Sequence, residues 1–229
     1  MATSRTYGEA CGIPRALDRV GERWALLVVR ELMLGPKRFT DLKTGLPHAS
    51  PNVLAQRLRE LEHAGVVRKR RLPPPAASQV YELTEWGAEL EPVLVALGRW
   101  GARAPLDPEC MGMSVDSHLV SLATLFDPAL AGDFEASFEL RMGEDVFHAA
   151  IAGGAIDTGH GAPASPDAGL TLDPGTLLAL IHGEISVAEA LETGVLALDG
   201  DRAAVERLVG LFPLPEPALL PAPAENGAR

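Results

Sequence analysis

The chain of 229 residues is 47% apolar and only 5% aromatic, which excludes wholesale disorder and favours a core of Leu, Val and Ala. No apolar run approaches the ~18 residues of a membrane span, and the first residues lack the apolar stretch of a signal peptide. Two cysteines, Cys11 and Cys110, are too few for a disulfide framework or a four-cysteine zinc site, so we expect a cytoplasmic protein without membrane partners.

Charge is divided unevenly along the chain. Residues 1–104 carry 16 Lys or Arg and 11 Asp or Glu, a net charge of +5, whereas residues 105–229 carry 4 and 20, a net charge of −16. Pro105, Asp107 and Pro108 interrupt the pattern where the sign changes. We therefore predict a basic module over 1–107 that meets a polyanion, an acidic module over 108–215 and a flexible Pro-rich tail over 216–229.

The first forty-six residues predict three helical segments. Residues 11–20 and 21–35 form two helices that Gly21 separates, and the second is apolar nearly all round, as in a core or an oligomer interface. Thr40 is expected to cap a short helix over 40–46.

A tight turn over 47–49 leads into a helix whose polar side chains suit base recognition. Ser50 and Pro51 open this helix as N-cap and first helical residue, and Gly65 ends it. Asn, Gln and Arg side chains carry the donors and acceptors that match adenine and guanine edges in the major groove. The polar face holds Asn52, Gln56, Arg59 and His63, and the apolar face holds Val53, Leu54, Leu58 and Leu61.

Two antiparallel strands over 66–72 and 80–84 are predicted around the Pro-rich loop 73–79. The first strand carries four adjacent cations, which repel one another and therefore favour an anionic partner. The alternative is a solvated strand face whose long side chains cover apolar surface. The four cations are Arg68, Lys69, Arg70 and Arg71.

A last helix over 85–103, capped by Thr84, completes the order of a winged helix-turn-helix. Its apolar stripe is Leu90, Val93, Leu94, Leu97 and Trp100. Arg38, Thr40, Lys43 and the four cations of the first strand are expected to contact phosphates, and Asn52, Gln56 and Arg59 to contact bases. Arg57 is expected to bind either a phosphate or an internal carboxylate. The residues assigned to DNA are Arg38, Thr40, Lys43, Ser50, Asn52, Gln56, Arg57, Arg59, Arg68, Lys69, Arg70 and Arg71.

Several blocks in this order resemble the HxlR-type winged-helix transcription regulators, relatives of the MarR group. They are the helix of Trp24, the G-P-x-R-F block at 35–39, the L-x-x-R-L-x-x-L helix at 54–61 and the Y-x-L-T strand at 81–84. The resemblance covers about 11–104 and implies a homodimer, built on the first and last helices, that binds a pseudo-palindromic operator in double-stranded DNA. It also implies that Cys11 matches a thiol that senses oxidants in some members; an inert thiol is the alternative.

The acidic module predicts a mixture of strands and helices. Its glycine-rich segment 153–169 is interpreted as a long loop. We predict a helix over 118–126, strands over 133–143, 146–154, 168–173 and 195–201, and helices over 175–183, 186–194 and 202–212. The whole chain is thus of the α+β class.

The acidic module is similar to the sterol-carrier-protein-type α/β fold over about 115–212. The similarity lies in the pattern from Leu170 to Gly183 and in the later G-x-L-x-L-x-G-D stretch from Gly194 to Asp201. It implies an apolar cavity for a hydrophobic ligand; the alternative is a closed core that only strengthens dimerisation. The candidate lining residues are Phe134, Phe138, Phe147, Leu177, Leu178, Ile181 and Leu196.

The sequence carries no pattern typical of catalysis or metal binding. It has no G-x-S-x-G, P-loop or H-E-x-x-H motif, and none of its six histidines form an i, i+4 pair. We therefore expect no enzyme activity, no cofactor and no metal. The leading hypothesis is a homodimeric, sequence-specific repressor whose C-terminal domain senses a hydrophobic small molecule. The alternatives are a hydrophobic-ligand carrier with a vestigial DNA-binding domain and an architectural protein that binds DNA without sequence preference.

Overall fold

A computed structural model describes residues 6–105 and 112–219, so the expected boundary at 107/108 and Cys110 lie outside the described residues. The N-terminal stretch contains α1 (Gly12–Val20), α2 (Ala25–Leu32), α3 (Phe39–Gly45), α4 (Pro51–His63), β1 (Val67–Arg71), β2 (Gln79–Leu83), α5 (Glu85–Ala88) and α6 (Glu91–Gly101). The C-terminal stretch contains α7 (Val115–Leu125), α8 (Pro128–Ala131), β3 (Ala136–Met142), β4 (Asp145–Ala152), β5 (Ala155–His160), β6 (Ala168–Leu172), α9 (Pro174–Ile181), α10 (Val187–Glu192), β7 (Leu196–Gly200) and α11 (Arg202–Val209). Among the described helices, none combines the length and hydropathy of a membrane span.

The N-terminal stretch is a winged helix-turn-helix, as predicted. The Ser50 side chain accepts a hydrogen bond from the Val53 backbone N–H at 3.3 Å, so α4 begins where the sequence indicates. Gly65 follows α4 with a φ of +78°, a conformation that glycine adopts without strain. The buried side chains of α2 and α4 share one core cluster, which includes Val28, Val29, Leu54, Leu58 and Leu61.

Three local expectations in this stretch are wrong. Thr40 does not cap α3, because the helix begins at Phe39 and the Asp41 carboxylate accepts the Arg38 backbone N–H at 2.9 Å. The helix expected over 85–103 is divided into α5 and α6, with a proline near the start of α6. Val53 belongs to the solvent side of α4, since 38% of its surface is exposed.

The C-terminal stretch forms a five-stranded sheet in the order β5-β4-β3-β6-β7. β3 and β6 are parallel, and the other neighbouring strands are antiparallel. This sheet together with the helices gives the chain the α+β class that was predicted. Alternate residues of β3, from Ala136 to Met142, are buried, and they join a core with residues of α7, α9, α10 and α11. The side chains of Asp173, Ser186 and Asp201 cap the starts of α9, α10 and α11.

One strand of this sheet was missed. The segment interpreted as a long loop contains β5, which pairs with β4 from Ala152↔Ala155 to Phe147↔His160. Gly153 and Gly154, with φ of +57° and +73°, make the two-residue turn between these strands. A Gly-Gly pair after an alternating run is a hairpin signal, and it is the signal that would have identified β5.

Helix α7 joins the two stretches. It packs against α2 and α6 on the N-terminal side and against β5 and α9 on the C-terminal side. The Arg99 guanidinium of α6 donates to the backbone oxygens of Thr124 at 3.0 Å and Phe126 at 2.8 Å, which are among the acceptors that the end of a helix leaves without partners. The Arg99 side chain thereby caps the C-terminal end of α7.

A buried carboxylate lies at the same junction. Glu31 of α2 has no exposed surface and accepts hydrogen bonds from Lys37 Nζ at 2.8 Å, Ser114 Oγ at 2.8 Å and Arg30 Nη2 at 2.9 Å. Burial by itself raises the pKa of Glu31, but the Lys37 ammonium, the Ser114 hydroxyl and the Arg30 guanidinium bring its pKa below the usual value. Glu31 is therefore held as an ion.

The space beside this carboxylate requires glycine at position 45. A Cβ added at Gly45 would lie 2.3 Å from Glu31 Oε2. We expect Gly45→Ala to lower the free energy of unfolding by ~1–3 kcal/mol in urea denaturation, because the buried ion must move. Gly101→Ala is the matched control, since Gly101 also ends a helix and an added Cβ meets no described atom within 4 Å. Equal effects of the two substitutions would contradict the prediction.

Candidate nucleic-acid interface

The polar face of α4 is exposed at Asn52 and Arg59, and its half-buried central side chain, Gln56, is held in one orientation. Gln56 Nε2 donates to Glu60 Oε1 at 2.7 Å, and Gln56 Oε1 accepts from Arg59 Nη2 at 2.6 Å. Asn52 and Arg59 are exposed on the same helix. Gln56 therefore contacts a base edge only by exchanging at least one internal partner, whereas Asn52 and Arg59 project toward solvent.

Arg57 pairs with internal carboxylates. Its guanidinium contacts the Glu60 carboxylate and lies 3.6 Å from Glu22 Oε2, and only 12% of the Arg57 side chain is exposed. Of the two roles considered for Arg57, the structure has the internal pair. Its assignment to DNA stays a prediction.

Three of the four cations of the wing, the hairpin of β1 and β2, pair with carboxylates of the protein, so their mutual repulsion does not by itself require an external anion. Arg68 and Arg70 lie on one face of β1, and each donates to a Glu82 oxygen at 2.7 Å. Burial raises the pKa of Glu82, but the hydrogen bonds from Arg68 and Arg70 bring it below the usual value. On the other face, Lys69 Nζ lies 2.7 Å from Glu62 Oε2 and above the Tyr81 ring.

Arg71 differs from its three neighbours. Its Nε donates to the Ala77 backbone oxygen at 3.4 Å, and no carboxylate pairs with it among residues 6–105 and 112–219. A concavity of about 420 Å³ at the base of the wing is lined by Lys69, Arg70, Arg71, Ala77 and Gln79. Arg71 is thus the wing cation best suited to a phosphate.

The remaining assigned side chains lie between the wing and the turn before α4. Arg38 Nε donates to Ser78 Oγ at 3.2 Å, which joins the start of α3 to the wing loop. Lys43 Nζ donates to the Pro47 backbone oxygen at 2.9 Å, and the Thr40 hydroxyl donates to Asp41 at 3.2 Å. Ser50 caps α4, as described above. The structure therefore brings Arg38 to the wing, while Lys43 and Ser50 flank the turn.

Most candidate ligand-binding residues of the second module lie in the apolar core. Phe138, Phe147, Leu177 and Leu196 are at most 2% exposed, and Phe134 packs against the core beneath the Arg207 guanidinium. Leu178 is half-buried. Ile181 also lines an open groove of about 690 Å³, together with Ile185, Val187, Val209, Phe212 and Leu214.

Cys11 is exposed immediately before α1. Within the described residues, no group of His, Cys, Asp and Glu side chains is arranged to hold a metal ion.

Large apolar side chains are exposed on both α1 and α6. Val93, Leu97 and Trp100 on α6 have 54%, 44% and 74% of their surface exposed, and Ile13 and Leu17 on α1 have 71% and 42%. The sequence predicted the apolar stripe on α6. Within the described residues, only Leu90 and Leu94 of this stripe pack partly against the core. We refer to these five exposed residues as the α1–α6 face.

Comparisons with known proteins divide the chain in the same way. Residues 19–107 match the HxlR-like helix-turn-helix family model, and residues 109–218 match the alkyl sulfatase C-terminal model. The latter is related to, but not identical with, the sterol-carrier-protein-type domain expected from the sequence, so that expectation is supported only loosely.

Three individual relatives illustrate the two matches. Over 94 residues the chain is 37% identical to the uncharacterized HTH-type transcriptional regulator YvaP of Bacillus subtilis, covering 41% of this chain and 86% of YvaP. The reduced form of the transcriptional regulator YodB from B. subtilis aligns at 34% identity and a TM-score of 0.38, covering 42% of this chain and 94% of YodB. A double mutant of the sec-alkyl sulfatase PisA1 aligns at 18% identity and a TM-score of 0.39, covering 50% of this chain and 17% of PisA1.

Proposed function

The chain belongs to the HxlR-like helix-turn-helix family of DNA-binding transcription regulators, and on this premise we propose that it is a homodimeric repressor that responds to a hydrophobic small molecule. The observation that carries the proposal is the polar row of Asn52, Gln56 and Arg59 on a helix that the wing flanks, with Asn52 and Arg59 exposed and Gln56 half-buried between them. Side chains of these types on an exposed helix read base edges in the major groove. The wing and Arg38 supply the phosphate contacts that set register.

The charge of the second module supports one arrangement on DNA. A net charge of −16 over residues 105–229 is repelled by phosphates, so this module faces away from the duplex. An effector bound there acts by favouring one dimer form over another, which changes the spacing of the two recognition helices. Half-sites one helical turn apart, ~34 Å, tolerate little change in that spacing.

Two substitutions distinguish base contacts from phosphate contacts. We expect Gln56→Ala to cost ~1–3 kcal/mol on the DNA upstream of the protein's own gene and little on a scrambled duplex. Arg71→Ala weakens binding to both duplexes equally and lowers the salt slope by about one, because one phosphate contact is lost. Fluorescence anisotropy at two salt concentrations measures both effects.

Arg141→Ala is the control for Arg71→Ala, since Arg141 is exposed on β3 and pairs with Glu139. Equal and steeply salt-dependent binding of the wild-type chain to both duplexes would favour the architectural alternative. A wild-type chain that binds neither duplex would favour the carrier alternative.

The α1–α6 face supports a dimer. Large apolar side chains exposed close together are typical of a surface that binds another protein. We expect Leu97→Ser to weaken self-association about 10- to 100-fold, because burying a leucine contributes roughly 1.5–3 kcal/mol. Sedimentation velocity over a concentration series measures the change. Leu130→Ser is the matched control, since Leu130 is 41% exposed and Leu97 is 44% exposed. A dimer that Leu97→Ser leaves intact would exclude this face.

The groove beside Ile181 supports the effector. Its floor is apolar and its volume of about 690 Å³ lies within the range of small-molecule sites, ~300–1,000 Å³. We expect 1-octanol to raise the melting temperature of the wild-type chain and Leu214→Glu to abolish the rise, because the charge replaces an apolar wall. Val195→Glu is the control, since Val195 is similarly exposed outside the groove. No thermal shift across linear alcohols, with DNA affinity unaffected by them, would leave dimerisation as the role of the module.

A further inference from the structure

One lysine is held by both halves of the molecule. The main chain of Lys37 extends the wing, because its N–H donates to the Tyr81 oxygen at 2.9 Å and its C=O accepts from the Tyr81 N–H at 2.8 Å. The side chain of Lys37 points away from the wing and is 14% exposed. Its Nζ lies 2.8 Å from Glu31 Oε2 and 2.5 Å from Asp116 Oδ2. Any displacement of Lys37 therefore involves the wing and α7 together.

Asp116 is itself fixed within the C-terminal stretch. It is the second residue of α7, its side chain is 8% exposed, and its carboxylate also lies 3.3 Å from His160 Nε2 at the end of β5. Burial raises the pKa of Asp116, but His160 and Lys37 bring it below the usual value. The neighbouring Ser114 and Ser117 hydroxyls donate to Glu31 Oε1 at 2.8 Å and 3.2 Å. The first turn of α7 thus holds the Glu31–Lys37 pair from one side.

The wing is also held by the recognition helix. Lys69 of β1 lies over the Tyr81 ring and pairs with Glu62 of α4. Glu62 and Lys69 are each about one-third exposed, so this pair is weak and screened by salt. The contact of Lys37 with Asp116 is the more buried of the two, so salt screens it less.

We propose that Asp116 is a positioning residue for DNA binding, which through Lys37 sets the place of the wing relative to α4. A shift of the first turn of α7 then moves Lys37, the backbone pairing with Tyr81 and the wing cations together. Asp116 thereby influences the wing through contacts within the protein, so the acidic module does not have to contact DNA directly. The proposal rests on the proposed function only for the step on DNA; the hold of Asp116 on the wing is independent of it.

Hydrogen exchange of the full chain without DNA tests the hold directly. Asp116→Asn keeps the shape of the side chain and removes the charge that Lys37 contacts. We expect the amides of Lys37 and Tyr81 to exchange about tenfold faster in Asp116→Asn, while the amides of 51–63 keep their wild-type rates. Asp133→Asn, which alters an exposed carboxylate of the same module, leaves all of these rates unchanged.

Two outcomes of the exchange measurement overturn the proposal. Wild-type rates at Lys37 and Tyr81 in Asp116→Asn mean that Asp116 does not hold the wing. An equal acceleration of hydrogen exchange at all protected amides means that Asp116 contributes only to global stability. Faster exchange confined to the wing supports the proposal.

Hydroxyl-radical footprinting on the upstream duplex tests the step on DNA. We expect Asp116→Asn to lose protection at the outer positions that the wing covers and to keep protection at the positions that α4 covers. An unchanged footprint overturns the role in DNA binding. A wild-type chain without any footprint overturns the proposed function and this role together, and the exchange result then still decides whether Asp116 holds the wing.

Discussion

The carboxylate of Glu31 has no contact with solvent, and much of the molecule is arranged around keeping it charged. A buried ion is tolerated only where partners replace its hydration, and removing one partner of such a set typically costs ~3–5 kcal/mol. Here the partners come from different parts of the chain: Arg30 from the same helix, Lys37 from the segment before α3, and Ser114 and Ser117 from α7. Satisfying one carboxylate therefore brings the DNA-binding module and the C-terminal module into contact. Gly45 leaves the space in which the carboxylate lies.

The surface proposed to bind DNA is organised by pairing rather than by free charge. Arg68 and Arg70 share Glu82, Lys69 pairs with Glu62, and the amide of Gln56 bridges Arg59 and Glu60. Each pair orders a long side chain before DNA arrives, which lowers the entropy that binding must remove. The same pairs subtract from the charge available to phosphates, so the number of cations on β1 overstates the number of phosphate contacts. Arg38, Lys43, Asn52, Arg59 and Arg71 have no side-chain pairing with a carboxylate among residues 6–105 and 112–219, so their contacts to DNA displace none.

The apolar residues of the two modules have different fates. In the C-terminal module the phenylalanines of β3 and β4 lie inside a closed core, and the groove beside Ile181 lies at the edge of that core. In the N-terminal module the stripe on α6 stays open to solvent, and Ile13 and Leu17 of α1 are exposed as well. Exposed apolar side chains on these two helices are suited to contact with a second copy, which is the arrangement that the family resemblance implies.

The amino-acid sequence by itself determined the local structure and the class of the first module. Ser50-Pro51 and Gly65 set the limits of α4, the 3.6-residue period set its polar face, and the alternation from Ala136 to Met142 set the buried face of β3, because these signals act between residues close in the chain. The N-cap at Arg38 was missed because it depends on a local contact with Asp41 that periodicity does not report. The break before α6 and strand β5 were missed because a proline and the Gly153-Gly154 pair interrupt the pattern at single positions.

Only the tertiary structure decided which charges are free and which residues join the modules. Glu82 pairs with both Arg68 and Arg70 from another strand and offsets one of their two charges, and Asp116 contacts Lys37 across 79 positions of sequence. Neither pairing has a periodic signature, because the partners approach through packing of distant elements. The same packing leaves Leu97 and Trp100 exposed and buries Phe138 and Phe147, although all four are simply apolar residues in the sequence.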